Sequence, residues 1–148
     1  MSLPKASAFT KFAIALAIAS LVTETANAIT VKPCDILVTD GFTATLLLLD
    51  PTTGAQTVIS SHGSFQNLYG VAIHPNGSVY VVDQIALGGS IFLVDLSTGV
   101  QHAVSSGNNF RQPFGLAIEA DGNIVTSNAP GGGGNRVVVH SRDVCADR

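Results

Sequence analysis

The stretch YGVAIHPNGSVYVVD (Tyr69–Asp83) returns 45 residues later as FGLAIEADGNIVTSN (Phe114–Asn128). In the first copy, two apolar runs flank the turn Pro75-Asn76-Gly77. Asn-Gly is a strong hairpin signal because both residues tolerate positive φ. The same shift aligns more of the chain. LLLLDPTTGAQTVISS (Leu46–Ser61) falls on IFLVDLSTGVQHAVSS (Ile91–Ser106), and GGSIFLVD (Gly88–Asp95) falls on GGNRVVVH (Gly133–His140). Ile36–Asp40 (ILVTD) matches Val79–Asp83 at a shift of 43. A period of 20 to 50 residues marks solenoids, propellers or arrays.

Each unit reads as four short strands. In the middle unit these are Gly70–His74, Ser78–Asp83, Ser90–Leu96 and Val100–Ser105. Val, Ile, Leu and Phe crowd the two central strands, as expected of strands buried on both faces, whereas the last strand is polar. Four antiparallel strands per repeat with no helix-length periodic segment predict propeller blades. A sandwich would not require an internal copy at fixed spacing.

The ends and the composition set the compartment. Lys5 and Lys11 precede an uncharged, mostly apolar run, Phe12–Val22, followed by a polar patch and Ala26-Asn27-Ala28. This is the layout of a secretory signal peptide, residues 1–28. Eleven residues form a helix of roughly 16 Å, too short for a bilayer core of about 30 Å. The expected mature chain, 29–148, is one domain that is secreted or periplasmic and, once the leader is cleaved, off the membrane. The formal net charge of −3 and the scattered arginines offer no footprint for nucleic acid.

The phrases Tyr69-Gly70-Val71-Ala72-Ile73, Asn76-Gly77 and Val79-Tyr80-Val81-Val82-Asp83, with Asn135-Arg136-Val137 in the third unit, resemble NHL repeats. They are also similar to gluconolactonase/regucalcin-like and streptogramin-lyase-like propellers. Gly70, Ala72, Gly77 and Asp83 match the repeat in the second unit, and Gly115, Ala117, Gly122, Asn135 and Arg136 in the third. Asn128 departs from the usual Asp. The resemblance implies an all-β partial β-propeller of about three four-stranded antiparallel blades, with units at about 35–67, 68–112 and 113–148. These families usually carry six blades, and a closed ring needs at least four. The first unit lacks a clear first strand, which would fall near residues 27–31, and the third lacks its fourth, near residue 145. The chain is therefore expected to be a piece of a longer propeller, part of an oligomeric ring, or a small self-contained variant. Its open blade edges invite self-association or pairing with other blades.

The candidate sites repeat with the units. Asp40, Asp83 and Asn128 share one position at the end of the second strand. Converging there, they could hold Ca²⁺, a hard ion that prefers oxygen donors. The alternative is that each caps its own turn, which fits repetition better. Asp50, Asp95 and His140 form a second set. Asp50 and Asp95 precede Thr-Gly turns and read as structural, while His140 breaks the pattern as an acid–base candidate. His74 reads as a histidine of an exposed turn, although a lyase would use it as a general base. His62 and His102 lie on polar outer segments. Gly131–Gly134 has neither the Lys-Ser/Thr nor the helix of a phosphate loop and reads as a connection. Cys34 and Cys145 lie near opposite ends, so an open arc forbids a bond within one chain and leaves one between chains or none. The expected function is an exported binding or scaffold module for a protein or small ligand. It would use the loops Asp40–Thr43, Gln84–Gly89 and Ala129–Gly134. The alternative is a metal-dependent lactonase or streptogramin-lyase-like enzyme, which the resemblance allows.

Overall fold

The computed structural model describes residues 28–107 and 109–129 and, as backbone, residues 136–139. Residues 1–27, which carry nearly all of the expected signal peptide, together with Gly131–Gly134, His140 and Cys145, lie outside the described residues. Among the described residues the fold is all-β and antiparallel, in three sheets. The first contains β1 (Ile36–Asp40), β2 (Thr45–Leu49) and β3 (Gln56–Ser61). The second contains β4 (Leu68–Ile73), β5 (Val79–Asp83), β6 (Ser90–Val94) and β7 (Gln101–Ser106). The third contains β8 (Pro113–Ile118), β9 (Ile124–Asn128) and β10 (Arg136–Val139). Within each sheet the strands lie side by side in chain order. One short 3-10 turn, Ala86–Gly88, interrupts the connection from β5 to β6.

The second sheet is a layer between the other two. β5 is buried along its whole length, and its alternate side chains serve two different cores. Val79 and Val81, with Phe92 and Val94 of β6, pack against Leu46, Ile59 and Phe65 of the first sheet and the segment that leaves it. Tyr80, Val82 and Ile91 pack with Phe110 and with Ile124 of the third sheet. Phe65 meets Phe92 edge to face, with ring centroids 5.5 Å apart. This two-sided burial explains why the central strands read as unbroken apolar runs.

The repeat holds at the level of single bonds. Asp50 and Asp95 each accept N–H bonds from the two residues after the intervening position, Thr52 and Thr53 or Ser97 and Thr98. Gly54 and Gly99 then close the turns, both at φ +73°. Each sheet's irregular register also recurs at the repeat spacing: a bulge at Leu46/Leu47 matches one at Ile91/Phe92, and Leu68/Val71 matches Pro113/Gly115. The segment before β1 differs. Residues 28–31 form no strand; Ile29 donates its N–H to the Leu96 carbonyl, and Ile29 and Val31 pack on the first core.

β4 runs close to its repeat partner β8. A Cβ at Gly70 would stand 2.8 Å from the Leu116 nitrogen and 3.0 Å from the Phe114 carbonyl oxygen. Tyr69 and Phe114 stack beside this approach with ring centroids 4.6 Å apart. Gly70→Ala should force the two backbones apart and lower the unfolding free energy in urea by about 1–3 kcal/mol. Stability equal to the unsubstituted protein would show that the second and third sheets do not meet this closely.

Candidate functional site

The ends of β1, β5 and β9 gather at one end of the molecule. Thr39 donates its hydroxyl to the Tyr69 carbonyl at the start of β4. Gly41, just past β1, lies so close to Asn67 and Leu68 that a Cβ there would be 2.6 Å from the Asn67 Oδ1. Leu68 in turn pairs with Asp83 at the end of β5. Gly89 abuts Pro113 and Phe110, and Pro113 pairs with Asn128. The loops 41–43, 84–89 and 112–113 are thus neighbours on one rim.

The three predicted oxygen donors do unequal work there. Asp83 is fully buried. Its Oδ2 accepts the N–H groups of Gln66 and Asn67 at 2.6 and 3.0 Å. Its Oδ1 accepts those of Ile85 and Ala86 at 2.9 and 2.7 Å. Asn128 makes a neutral version: its Oδ1 accepts the Arg111 N–H at 3.2 Å, and its Nδ2 donates to the Asn109 carbonyl at 2.9 Å. Asp40 binds only its own turn, through the N–H groups of Phe42 and Thr43. Asp40 caps its own turn; Asp83 caps its own turn through Ile85 and Ala86 and also holds the segment before β4, while both Asn128 bonds go to the segment before β8. Among the described residues, no group of three or more His, Cys, Asp or Glu side chains could hold a metal ion.

The remaining candidates are dispersed. His74 is half-buried at the opposite end, in the β4–β5 turn; its Nδ1 accepts the Asn76 N–H at 3.2 Å, and its ring meets Tyr80 edge to face. His62 and His102 are exposed, and so is Cys34. A cleft of about 420 Å³ at the His74 end is lined by Ile29, Val31, Lys32, Ile73, Gly77 and Leu96, and holds none of the predicted site residues. No helix among the described residues is long and apolar enough to cross a membrane.

The strand-end rim carries a feature that the residue types alone did not single out. Phe42 is completely exposed, and Ile85 and Leu87 are 55% and 62% exposed. Leu87 is also held at φ +55°, ψ +24°, in the left-handed region. A branched side chain pays roughly 1–2 kcal/mol for that conformation. Backbone strain of this kind tends to persist where a loop must present a side chain. The signal in the sequence was the setting: Phe42, Ile85 and Leu87 are large apolar residues inside polar, glycine-bearing loops, DGFTA and DQIALGG.

No protein-family model matches this chain, and no curated protein matches it.

The exposed carboxylates make a prediction about pH. Backbone N–H groups hold Asp40 and Asp50 below the ordinary carboxylate range, chiefly those of Thr43 and Thr52. The Ser97 hydroxyl and N–H do the same for Asp95. A carboxylate with a lowered folded pKa adds stability above its unfolded value, near 3.9, and loses it as pH falls through the folded value. The thermal midpoint should be flat from pH 7 to 5 and fall below about pH 4. The double variant Asp50→Asn, Asp95→Asn should show a shallower acid decline; an unchanged acid limb would mean these turns do not couple to folding.

Proposed function

We propose that the protein is an exported binding module built from three successive blades of an NHL-like β-propeller, and that its strand-end rim takes an apolar segment of a protein or a small apolar ligand. The blade reading is supported by the 45-residue period, by the four-strand order of the second sheet and by the layering of successive units. The leader-like N-terminus supports export. The single observation that carries the binding reading is the exposure of Phe42, Ile85 and Leu87 on adjacent loops of one rim. Asp83 holds the loop of Ile85 and Leu87, and Asp40 holds the loop of Phe42, so the apolar side chains sit on a pre-arranged support, which lowers the ordering cost of binding. Large exposed apolar patches rimmed by polar residues mark interaction sites.

The test is amide-resolved NMR of the mature chain against a panel of short peptides, each with one aromatic or leucine anchor. Shifts should concentrate at residues 41–43, 66–67 and 84–89. Phe42→Ser should melt like the unsubstituted protein yet weaken the peptide it binds by at least tenfold, about 1.4 kcal/mol. Leu87→Gly should relieve the left-handed strain, raising stability by up to about 1 kcal/mol, and still weaken binding. Shifts confined to other surfaces would reject the rim. Lactone turnover together with a rise in melting temperature at millimolar Ca²⁺ would instead favour the enzyme reading.

A further inference from the structure

The outward side of the first sheet repeats, position for position, a surface that the second sheet buries. On the second sheet, Val79, Val81, Phe92 and Val94 face the first sheet and are almost fully buried. The equivalent positions on the first sheet are Ile36, Val38, Leu47 and Leu49. They share one face, because Ile36 pairs with Leu49 and Val38 with Leu47, while the alternate residues Leu37 and Leu48 pack on the core. Val58 extends this face through its pairing with Leu47. Ile36, Val38 and Val58 are exposed.

The polar part of the joint is duplicated too. Gln101 of the second sheet clamps the chain leaving the first. Its Oε1 accepts the N–H groups of Ser64 and Phe65, and its Nε2 donates to the Ser60 hydroxyl and the His62 carbonyl. Gly99 lies against the same segment, and its carbonyl accepts the Ser60 hydroxyl at 2.7 Å. The corresponding residues of the first sheet are Gln56 and Gly54. Gln56 is exposed, and a Cβ on Gly54 would meet nothing within 4 Å. Apolar face, glutamine and glycine together make a complete receiving half with no unit before it among the described residues.

The other side of the layer stack presents a different surface. Ile124 faces the second sheet, so its β9 neighbours Val125 and Ser127 turn away from it, as does Ala117, the cross-strand partner of Val125. Ala117 and Ser127 are small where Ile36, Leu47 and Leu49 on the first sheet are large, the pairing that lets facing layers interdigitate.

We infer that the outward face of the first sheet docks the third-sheet side of a second copy of this chain, head to tail. The inference rests on the reading of the three sheets as successive units of one repeat. A second copy is the occupant because its third sheet presents repeat equivalents of the strand face that covers this surface within the chain: Val125 and Ser127 stand where Leu37 and Thr39 stand on the first sheet. Two unlike surfaces meeting in this way form a heterologous interface, which closes into a ring or runs on as a filament according to its rotation.

Sedimentation velocity over a concentration series of the mature chain tests it, with Val38→Lys on one face and Val125→Lys on the other. The unsubstituted chain should assemble with rising concentration. Each variant alone should remain a monomer, with a thermal midpoint near that of the unsubstituted chain. An equimolar mixture of the two should form a dimer and stop there, because each variant keeps one intact face. A chain that stays monomeric to about 1 mM overturns the inference. So does assembly that survives Val125→Lys, which would place first sheet against first sheet. Phe42→Ser should leave the assembled mass unchanged, so failure of the interface and failure of the rim site are read separately.

Discussion

Four backbone N–H groups converge on one buried carboxylate, that of Asp83, and the relation between successive sheets depends on it. Two of the donors, Gln66 and Asn67, belong to the segment arriving from the first sheet. The other two, Ile85 and Ala86, begin the loop that carries the chain on to β6. One side chain therefore fixes where the chain enters the second sheet, where β5 ends and how the rim loop departs. A carboxylate is suited to this because it is acceptor-only and can take several N–H bonds at once. The equivalent positions grade away on either side. Asn128 ties the equivalent crossing segment, Asn109 to Arg111, to β9 with an amide and two bonds. Asp40 has only its own turn to cap.

That gradient explains the rim. A loop pinned at its root by Asp83 can hold Ile85 out in water and Leu87 in a conformation its side chain disfavours, and Asp40 pins the Phe42 loop beside it. The polar network and the exposed apolar residues are two levels of one device: the first positions the backbone, and the second uses that position. The proposed binding role follows from the upper level, while the repeat itself accounts for the lower.

Much of the fold was legible in the chain. The four strands of the middle unit, the Asn-Gly and Thr-Gly turns and the polar outer strand all appear within a residue or two of their expected places, because each is set by local alternation or by turn chemistry. The structural duty of Asp50 and Asp95 was legible for the same reason. What was not legible is non-local. An aspartate at a strand end looks the same in sequence whether it caps its own turn, like Asp40, or is buried beneath a segment 16 residues before it, like Asp83. The Gln101 clamp reaches back 36 to 41 residues and leaves no local mark. The polar setting of Phe42 and Leu87 marks them in the sequence, but the fold of their loops, inward or outward, is set by contacts far along the chain. His74 was expected in an exposed turn and proves half-buried, because Tyr80 lies beside its ring.

The most direct test of this account is the unfolding free energy of Asp83→Ala in urea. Removing the carboxylate leaves four backbone donors without their acceptor, and a buried unsatisfied donor costs about 1–3 kcal/mol. A loss of at least about 3 kcal/mol is expected, a large share of the roughly 5–15 kcal/mol that holds an ordinary domain together. A variant within about 0.5 kcal/mol of the unsubstituted protein, the range of a neutral surface change, would contradict it and return Asp83 to the role of a ligand-binding residue.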